Sequence, residues 1–436
     1  MNAVDRTGAS ARPYLDKIYE VDIESDVTYG VGGVGYESAK GAARHRDLKL
    51  DIYRPRTSEA GLRPALILAF GGAFHRGSKS VEVFEGENPS TAMAEYCREF
   101  ARRGYICFSI DYRLMQEDPD PGVTPFLPPN LPFKAGRIDV VRGILGLPPC
   151  TAQMMFNTLE AATDDMSKAV AFVRSRAPAL NVDLSRIAIG GFSAGASIAL
   201  NAAYGENAPV AAVVSISGRT AAKLDVCIQP GSPPPPALML YGEDDLPDIL
   251  NFQAPMGAAM TKAGIDNSFL VVPKANHFYL RTAGLTGADG RPSDVETEIA
   301  AFLYDRLRLS SLGAGAMSVA RLQAFADAWN RHDIDDLMSF MTDDCVFQAN
   351  AGGEVFGTTY AGREDVRRGY MKAWQTYPDA RWNNARHAVC GDRGFSEWVF
   401  TGVGPDAQKV EIAGCDLFEF RGDKIVVKNS FRKRPA

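Results

Sequence analysis

Cysteine is sparse and unpatterned in this 436-residue sequence. The seven (Cys97, Cys107, Cys150, Cys227, Cys345, Cys390 and Cys415) are odd in number and contain no C-x-x-C. That excludes a disulfide framework and gives no zinc-ligand spacing. Free thiols and a reducing, cytoplasmic compartment are expected. Positive charge is not in excess either. The net charge of −6 lacks the basic footprint of a nucleic-acid binder and offers nothing to an anionic membrane surface. No apolar run is long enough to span a bilayer. The opening MNAVDRTGASARPYLDKIYE has no apolar h-region, so no secretory signal is expected. Histidine is scarce, with five in all. What remains, 46% hydrophobic and 23% charged residues, is ordinary for a soluble globular protein of two or three domains.

From about residue 46 to 305, apolar runs alternate with helical ones. Strands are predicted at LKLDIYRP, PALILAFGG, YICFSIDYRL, RIAIGG, VAAVVSIS, ALMLYGEDD and SFLVVPKA. Helices are predicted between them, as at TAMAEYCREFARRG and ATDDMSKAVAFVRSRA. Near-continuous apolar strands alternating with helices define an α/β fold with a mostly parallel sheet covered on both faces. The last helix is expected to open at Ser293 with Glu296 as its capping-box partner and to run to about Leu309. Residues 114–158 break the rhythm. A proline-rich stretch, PDPGVTPFLPPNLPF, is followed by the apolar VVRGILGLPPCTAQMMF. Long ordered excursions of this kind are lids or pocket walls more often than idle loops.

Residues 310–317 (SSLGAGAM) read as a linker between domains at 1–309 and 318–436. After it, a helix at VARLQAFADAWNRH places Leu322, Phe325, Ala326 and Trp329 on one face. Strands are predicted beyond it at ARWNNARHAVC, GFSEWVFTGV, KVEIAGCDLFEFR and KIVVKNSFRK. Helices first and strands later is the α+β pattern.

Gly30, Gly32 and Gly35 in VTYGVGGVGYESAKG match G-x-G-x-x-G literally. A dinucleotide site needs a buried strand before the glycines and a helix after them. The preceding VDIESDVTY is charged and alternating, and YESAKGAARHRDLKLDIY after the glycines carries no helical pattern before the next strand. The glycines are read instead as a turn between two antiparallel edge strands, and no nicotinamide or flavin is expected.

The chemistry centres on Gly191-Phe192-Ser193-Ala194-Gly195, a G-x-S-x-G with a strand before it and a helix after it. That context puts the serine on a strained strand-to-helix turn and aims the next residue's amide at a developing oxyanion. The partners come in the order serine, acid, histidine. Only His277, His332 and His387 lie beyond Ser193, and the last two belong to the second domain. His277, after an apolar strand, is the expected base. Asp245, three residues after Gly242, is the first choice of acid and Asp244 the second. Gly71-Gly72-Ala73, after another strand, supplies small residues that let backbone N–H groups reach a substrate oxygen. His75 sits in the same loop and is given no catalytic role.

Taken together, LKLDIYRP, GGAF, SIDYRL, GGFSAG, YGEDD and NHF resemble the α/β-hydrolases of the carboxylesterase and hormone-sensitive-lipase-like group over residues 45–305. The resemblance implies an oxyanion hole made by the amides of Gly72, Ala73 and Ala194. The family's His-Gly-Gly-Gly is Phe70-Gly71-Gly72-Ala73 here, which keeps the amides but replaces the histidine that anchors the loop. It implies a serine esterase, without cofactor or metal. The apolar 114–158 excursion points to a hydrophobic or aromatic small-molecule ester. An amide or formamide would use the same machinery.

Residues 318–436 resemble the SnoaL-like superfamily, a cone-shaped α+β fold shared with ketosteroid isomerases. Aligning the two puts Asp416 at the isomerases' hydrogen-bonding acid, Ala349 at the general base and Phe325 near the tyrosine donor. A proton-abstracting enzyme without a base is not expected. His387 and Glu397 are read as groups that either point into the cone or are ion-paired structure. The resemblance implies an oligomerisation, ligand-binding or site-shaping module and a homodimer. An isomerase or cyclase in this domain is the alternative reading.

Overall fold

The computed structural model describes residues 12–36, 43–57, 61–81, 88–128, 136–224, 233–311 and 317–433. The chain divides into two compact units, Met1–Leu307 and Arg308–Ala436. Most of the 310–317 linker segment lies outside the described residues.

The first unit is built on an eight-stranded sheet. In chain order its elements are β1 (Glu20–Val34), β2 (Arg44–Arg56), β3 (Arg63–Ala69), α1 (Met93–Arg102), β4 (Ile106–Ile110), α2 (Arg137–Ile144), α3 (Ala152–Ser175), α4 (Ala177–Leu180), β5 (Val182–Phe192), α5 (Ala194–Tyr204), β6 (Ala212–Ile216), β7 (Ala237–Gly242), α6 (Pro247–Lys262), β8 (Asn267–Val272), the short pair β9 (Gly284–Thr286) and β10 (Pro292–Asp294), and α7 (Val295–Arg306). The sheet order is β1-β2-β4-β3-β5-β6-β7-β8, with β1 and β2 antiparallel and β4 through β8 parallel. Every residue of β3, β4 and β6 is buried, as the continuous apolar runs require of strands covered on both faces.

The glycine run is not a turn. Gly30 and Gly32 lie inside β1, opposite Leu48 and Arg46 of β2, and only Gly35 has a positive φ, 73°. Glycine at position 32 is explained by what crosses the strand: a Cβ there would stand 2.6 Å from Arg113 Cδ. Arg113 in turn donates to Asp165 on α3, from Nη2 at 2.8 Å, and to the Gly33 carbonyl. Gly32 clears a path for an arginine that ties the edge hairpin to α3.

The 114–158 excursion is more helical than its prolines suggest. Its apolar part forms α2 and the first turns of α3, whose N-cap Thr151 accepts from the Met154 N–H at 3.1 Å. The last helix of the unit starts later than expected. Asp294, not Ser293, caps α7 by accepting from the Thr297 N–H at 2.9 Å, and the helix ends at Arg306. Glu296 cannot reach back as a capping-box partner because it is buried against Arg103, Lys17 and Arg281.

The second unit carries α8 (Val319–Arg331), α9 (Ile334–Ser339), β11 (Met341–Gln348), β12 (Thr359–Ala361), α10 (Arg363–Thr376), β13 (Arg381–Cys390), β14 (Arg393–Val403), β15 (Lys409–Arg421) and β16 (Lys424–Arg432). Its six-stranded sheet runs β12-β11-β16-β15-β14-β13, with β11 and β16 the parallel pair. Ser318 caps α8 by accepting from the Arg321 N–H. Leu322, Phe325 and Trp329 on α8, spaced three and four apart, then pack on Tyr370 of α10 and Phe418 of β15. Ala328, rather than Ala326, completes the buried face.

Candidate active site

The site of the first unit forms where the parallel strands end, the crevice that open α/β sheets use for ligands. β5 delivers Ser193, the loop after β7 delivers Asp245, the loop after β8 delivers His277, and the loop after β3 delivers Gly72 and Ala73.

Ser193 sits at φ 53° and ψ −113°, a conformation L-residues avoid, directly before α5. The turn is possible because the residues two places to either side are glycines: a Cβ on Gly191 or Gly195 would collide with the Ala69 carbonyl of β3. Strand β3 therefore passes tight beneath the elbow. The Ser193 hydroxyl is 2.8 Å from His277 Nε2, and His277 Nδ1 is 2.6 Å from Asp245 Oδ1. His277 and Asp245 are both buried. Burial works against ionisation of Asp245, but hydrogen bonds from His277, from Ser217 and from the Leu246 N–H outweigh it and hold the carboxyl below its ordinary range. Asp244 is exposed and meets the loop only through its backbone N–H, which donates to the Ala275 carbonyl.

Two further polar residues complete this chain, and sequence reasoning did not find them. The Ser217 hydroxyl, just past β6, donates to Asp245 Oδ2 at 2.5 Å, and the Tyr279 hydroxyl lies 3.0 Å from Ser217 Oγ. The Gly242 N–H also donates to Asp245 Oδ2. Both carboxylate oxygens are thus occupied. The segment SISG around Ser217 resembles any strand end, so no sequence signal marks it.

Gly72, Ala73 and Ala194 line the rim beside Ser193. Among the described residues no protein acceptor takes the N–H of Ala73 or Ala194. Ala194 opens a helix, where the N–H has no intrahelical partner. The backbone at Gly72, Ala73 and Phe74 runs through positive φ (120°, 54° and 61°). His75 supplies the anchor that Phe70 cannot. Its buried ring donates from Nδ1 to the Ala73 carbonyl at 2.7 Å, leaving Nε2 to accept from Arg142 of α2 at 3.0 Å. Burial and the nearby Arg142 favour the neutral ring, and the Ala73 carbonyl pulls the other way; the net effect lowers the His75 pKa. Phe70 instead stacks on Tyr112, whose hydroxyl donates to the Phe70 carbonyl.

A cavity of about 410 Å³ opens from Ser193 and His277. Its walls include Ile138 of α2, Met155 and Leu159 of α3, Ile249 and Phe252 of α6, and Arg219 after β6. The 114–158 excursion therefore supplies part of the wall. Glu160 of α3 holds the proline-rich stretch of that excursion, accepting the N–H of Phe126 and of Leu127 at 3.2 and 2.8 Å.

In the second unit a cavity of about 400 Å³ is lined by Trp329, Phe347, Ala349, Tyr360, Lys428 and Arg432. Asp416 is buried and accepts from Trp398 Nε1, Lys428 Nζ and Ser430 Oγ at 2.9, 2.7 and 2.6 Å. It is paired with a lysine rather than poised as a lone acid. Ala349 offers no base, and Phe325 belongs to the aromatic core and not to the cavity wall. His387 bonds Ser396 and Gln323. Glu397 is exposed, facing away from Asp416 and 3.6 Å from Arg386, so it does not enter the cone. No group of residues with metal-ligand geometry occurs among the described residues, and none of their helices is long and apolar enough to cross a membrane. The six described cysteines are free thiols; Cys227 lies outside the described residues.

The BD-FAE family model matches residues 50–124 and 153–229, and the SnoaL-like domain matches 322–428. The chain thus carries an α/β-hydrolase-like domain followed by a SnoaL-like domain. Among solved structures, it is similar to an esterase of the planctomycete Thermogutta terrifontis at 19% identity, over 59% of this chain and 83% of that one, with a TM-score of 0.39. Its other end is similar to a Xanthomonas campestris protein provisionally named a polyketide cyclase, at 22% identity over 26% of this chain and 87% of that one, TM-score 0.23. A protein of ketosteroid isomerase-like fold from Catenulispora acidiphila, solved with trimethylamine, is 19% identical over 26% of this chain and 83% of that one, TM-score 0.24. No curated protein matches the chain.

Proposed function

We propose that the first unit is a serine hydrolase that cleaves carboxylic esters of hydrophobic or aromatic small molecules through an acyl-enzyme. The observation that carries this reading is the unbroken hydrogen-bonded chain from Ser193 through His277 to Asp245 at the mouth of an apolar cavity. Ser193 Oγ attacks the ester carbonyl while His277 Nε2 takes its proton. Asp245 holds the imidazole with Nδ1 protonated and stabilises the imidazolium that forms. The amides of Gly72, Ala73 and Ala194 receive the oxyanion, one such donor contributing on the order of a hundredfold in rate. His277 returns the proton to the leaving alcohol. A water molecule, deprotonated by the same nitrogen, then attacks the acyl carbon and frees Ser193.

The SnoaL-like domain enters this reading as a ligand-binding, oligomerising or site-shaping module of a cytoplasmic homodimer. An isomerase in that domain is disfavoured by Ala349, which leaves no base to abstract a proton. The reading is tested by following para-nitrophenyl esters with wild type and Ser193→Ala. Turnover confined to wild type supports it; equal turnover by a folded Ser193→Ala variant overturns it. Matched anilides and formamides run alongside decide between ester and amide chemistry.

A further inference from the structure

The wall of the active-site cavity carries a guanidinium that no described carboxylate neutralises. Arg219 lies two residues beyond Ser217, on the loop after β6, whose Ser217 hydroxyl donates to Asp245. Its backbone is pinned, the N–H donating to Ser197 Oγ on α5. Its side chain lies over the Phe252 ring, 4.6 Å from the centroid, and both residues line the cavity that opens from Ser193. No carboxylate lies within ion-pairing distance of it among the described residues. Asp248 is the acidic group that acts on it, and only at longer range. The Asp248 carboxylate packs instead against Gly136 at the start of α2. Arg137, held over Phe278, adds a second positive charge to the same lining. Burial alone disfavours the charged form of Arg219, so holding the group here unpaired costs stability. A bound anion removes that cost.

We infer that Arg219 is a specificity residue for esters carrying a carboxylate, which it receives at the wall of the cavity while the ester carbonyl lies at Ser193. The planar fork of a guanidinium fits a carboxylate with two parallel hydrogen bonds, and stacking on Phe252 fixes the plane of that fork. The apolar side chains of the same cavity, among them Ile138, Leu159 and Ile249, fit the hydrocarbon or aromatic part of such a molecule. The charge can reside on the acyl or on the alcohol side of the ester. This inference rests on the esterase reading above.

The test uses the full chain and two matched substrate pairs. One pair places the charge on the acyl side: para-nitrophenyl hydrogen adipate against para-nitrophenyl hexanoate. The other places it on the alcohol side: para-acetoxybenzoate against para-acetoxybenzamide. In at least one pair, wild type favours the charged member by about tenfold or more in kcat/KM. Arg219→Gln removes that preference, mainly through KM, and costs the charged member about tenfold more in kcat/KM than the neutral one. Arg219→Lys, which keeps the charge but not the fork, recovers part of it. A neutral preference in both pairs, or equal losses on both members in Arg219→Gln, overturns the inference while Ser193 still reacts with a fluorophosphonate. Failure of all four esters together with an unreactive Ser193 overturns the esterase reading, and the inference with it.

Discussion

Ser217 holds the carboxylate oxygen of Asp245 that His277 leaves free, at 2.5 Å, while His277 takes the other at 2.6 Å. The acid of the site is therefore fixed from both sides, by a residue delivered from β6 and one delivered from beyond β8. Removing the hydroxyl leaves Asp245 with a weaker grip on its ionised form and a freer side chain. Ser217→Ala is expected to lower kcat/KM about tenfold, a value typical of one lost hydrogen bond to a charged group. The carboxyl pKa should rise, because one of the hydrogen bonds that lower it is gone. A pH profile of the variant checks both.

The oxyanion loop depends on His75 although His75 touches no reacting atom. Its ring bridges the Ala73 carbonyl and Arg142. His75→Ala should lower kcat by about tenfold to a hundredfold with little change in KM, because the loop amides matter most in the transition state. Arg142→Ala should act in the same direction. The double variant should cost less than the product of the two, as expected of residues in one chain of contacts. Steady-state kinetics of the four proteins check this.

Glu160 and Glu206 are both pushed up from 4.5 to about 7, in each case first by burial; the Phe126 and Leu127 N–H groups pull Glu160 back, and the Ser167 hydroxyl pulls Glu206 back. A carboxyl raised in the folded state favours folding when protonated. Its contribution is fully present below its unfolded value of 4.5 and is lost as pH rises through about 7. Wild type should therefore lose thermal stability between about pH 5 and pH 8. Glu160→Gln, which stays neutral, should flatten that slope. Melting curves at the two pH values decide it.

In the second unit the buried Lys428–Asp416 pair is the sensitive point. Asp416→Ala leaves a buried ammonium unpaired and should destabilise this unit by roughly 3 kcal/mol or more. Replacing both partners, Asp416→Leu with Lys428→Met, should cost less than Asp416→Ala alone. Denaturant unfolding of the full chain, followed by tryptophan fluorescence, reads the difference. Trp329, Trp374, Trp382 and Trp398 all belong to this unit, so the signal reports on it selectively.

The parallel strands were legible because a strand buried on both faces must be apolar throughout, as PALILA and ICFSI are. The elbow was legible because so sharp a turn needs glycine two residues to either side of the serine. Long-range contacts were not. β1 looks like a surface stretch because it is an edge strand, and its Gly32 answers to Arg113, about eighty residues further along the chain, a partner no local pattern reveals. The capping signal at Ser293 misled because Asp294 is an equally good cap and Glu296 is drawn into the core by three cations. The loop anchor at His75 and the grip of Ser217 on Asp245 are products of tertiary contact between segments far apart in sequence.

Hydrolysis by the first unit requires an activated Ser193. Its most direct test is intact mass after treatment with a fluorophosphonate, on wild type and on Ser193→Ala. A single adduct on wild type and none on the variant is the predicted result. A folded wild-type protein that takes up no adduct, or a Ser193→Ala variant labelled as fully as wild type, would contradict it.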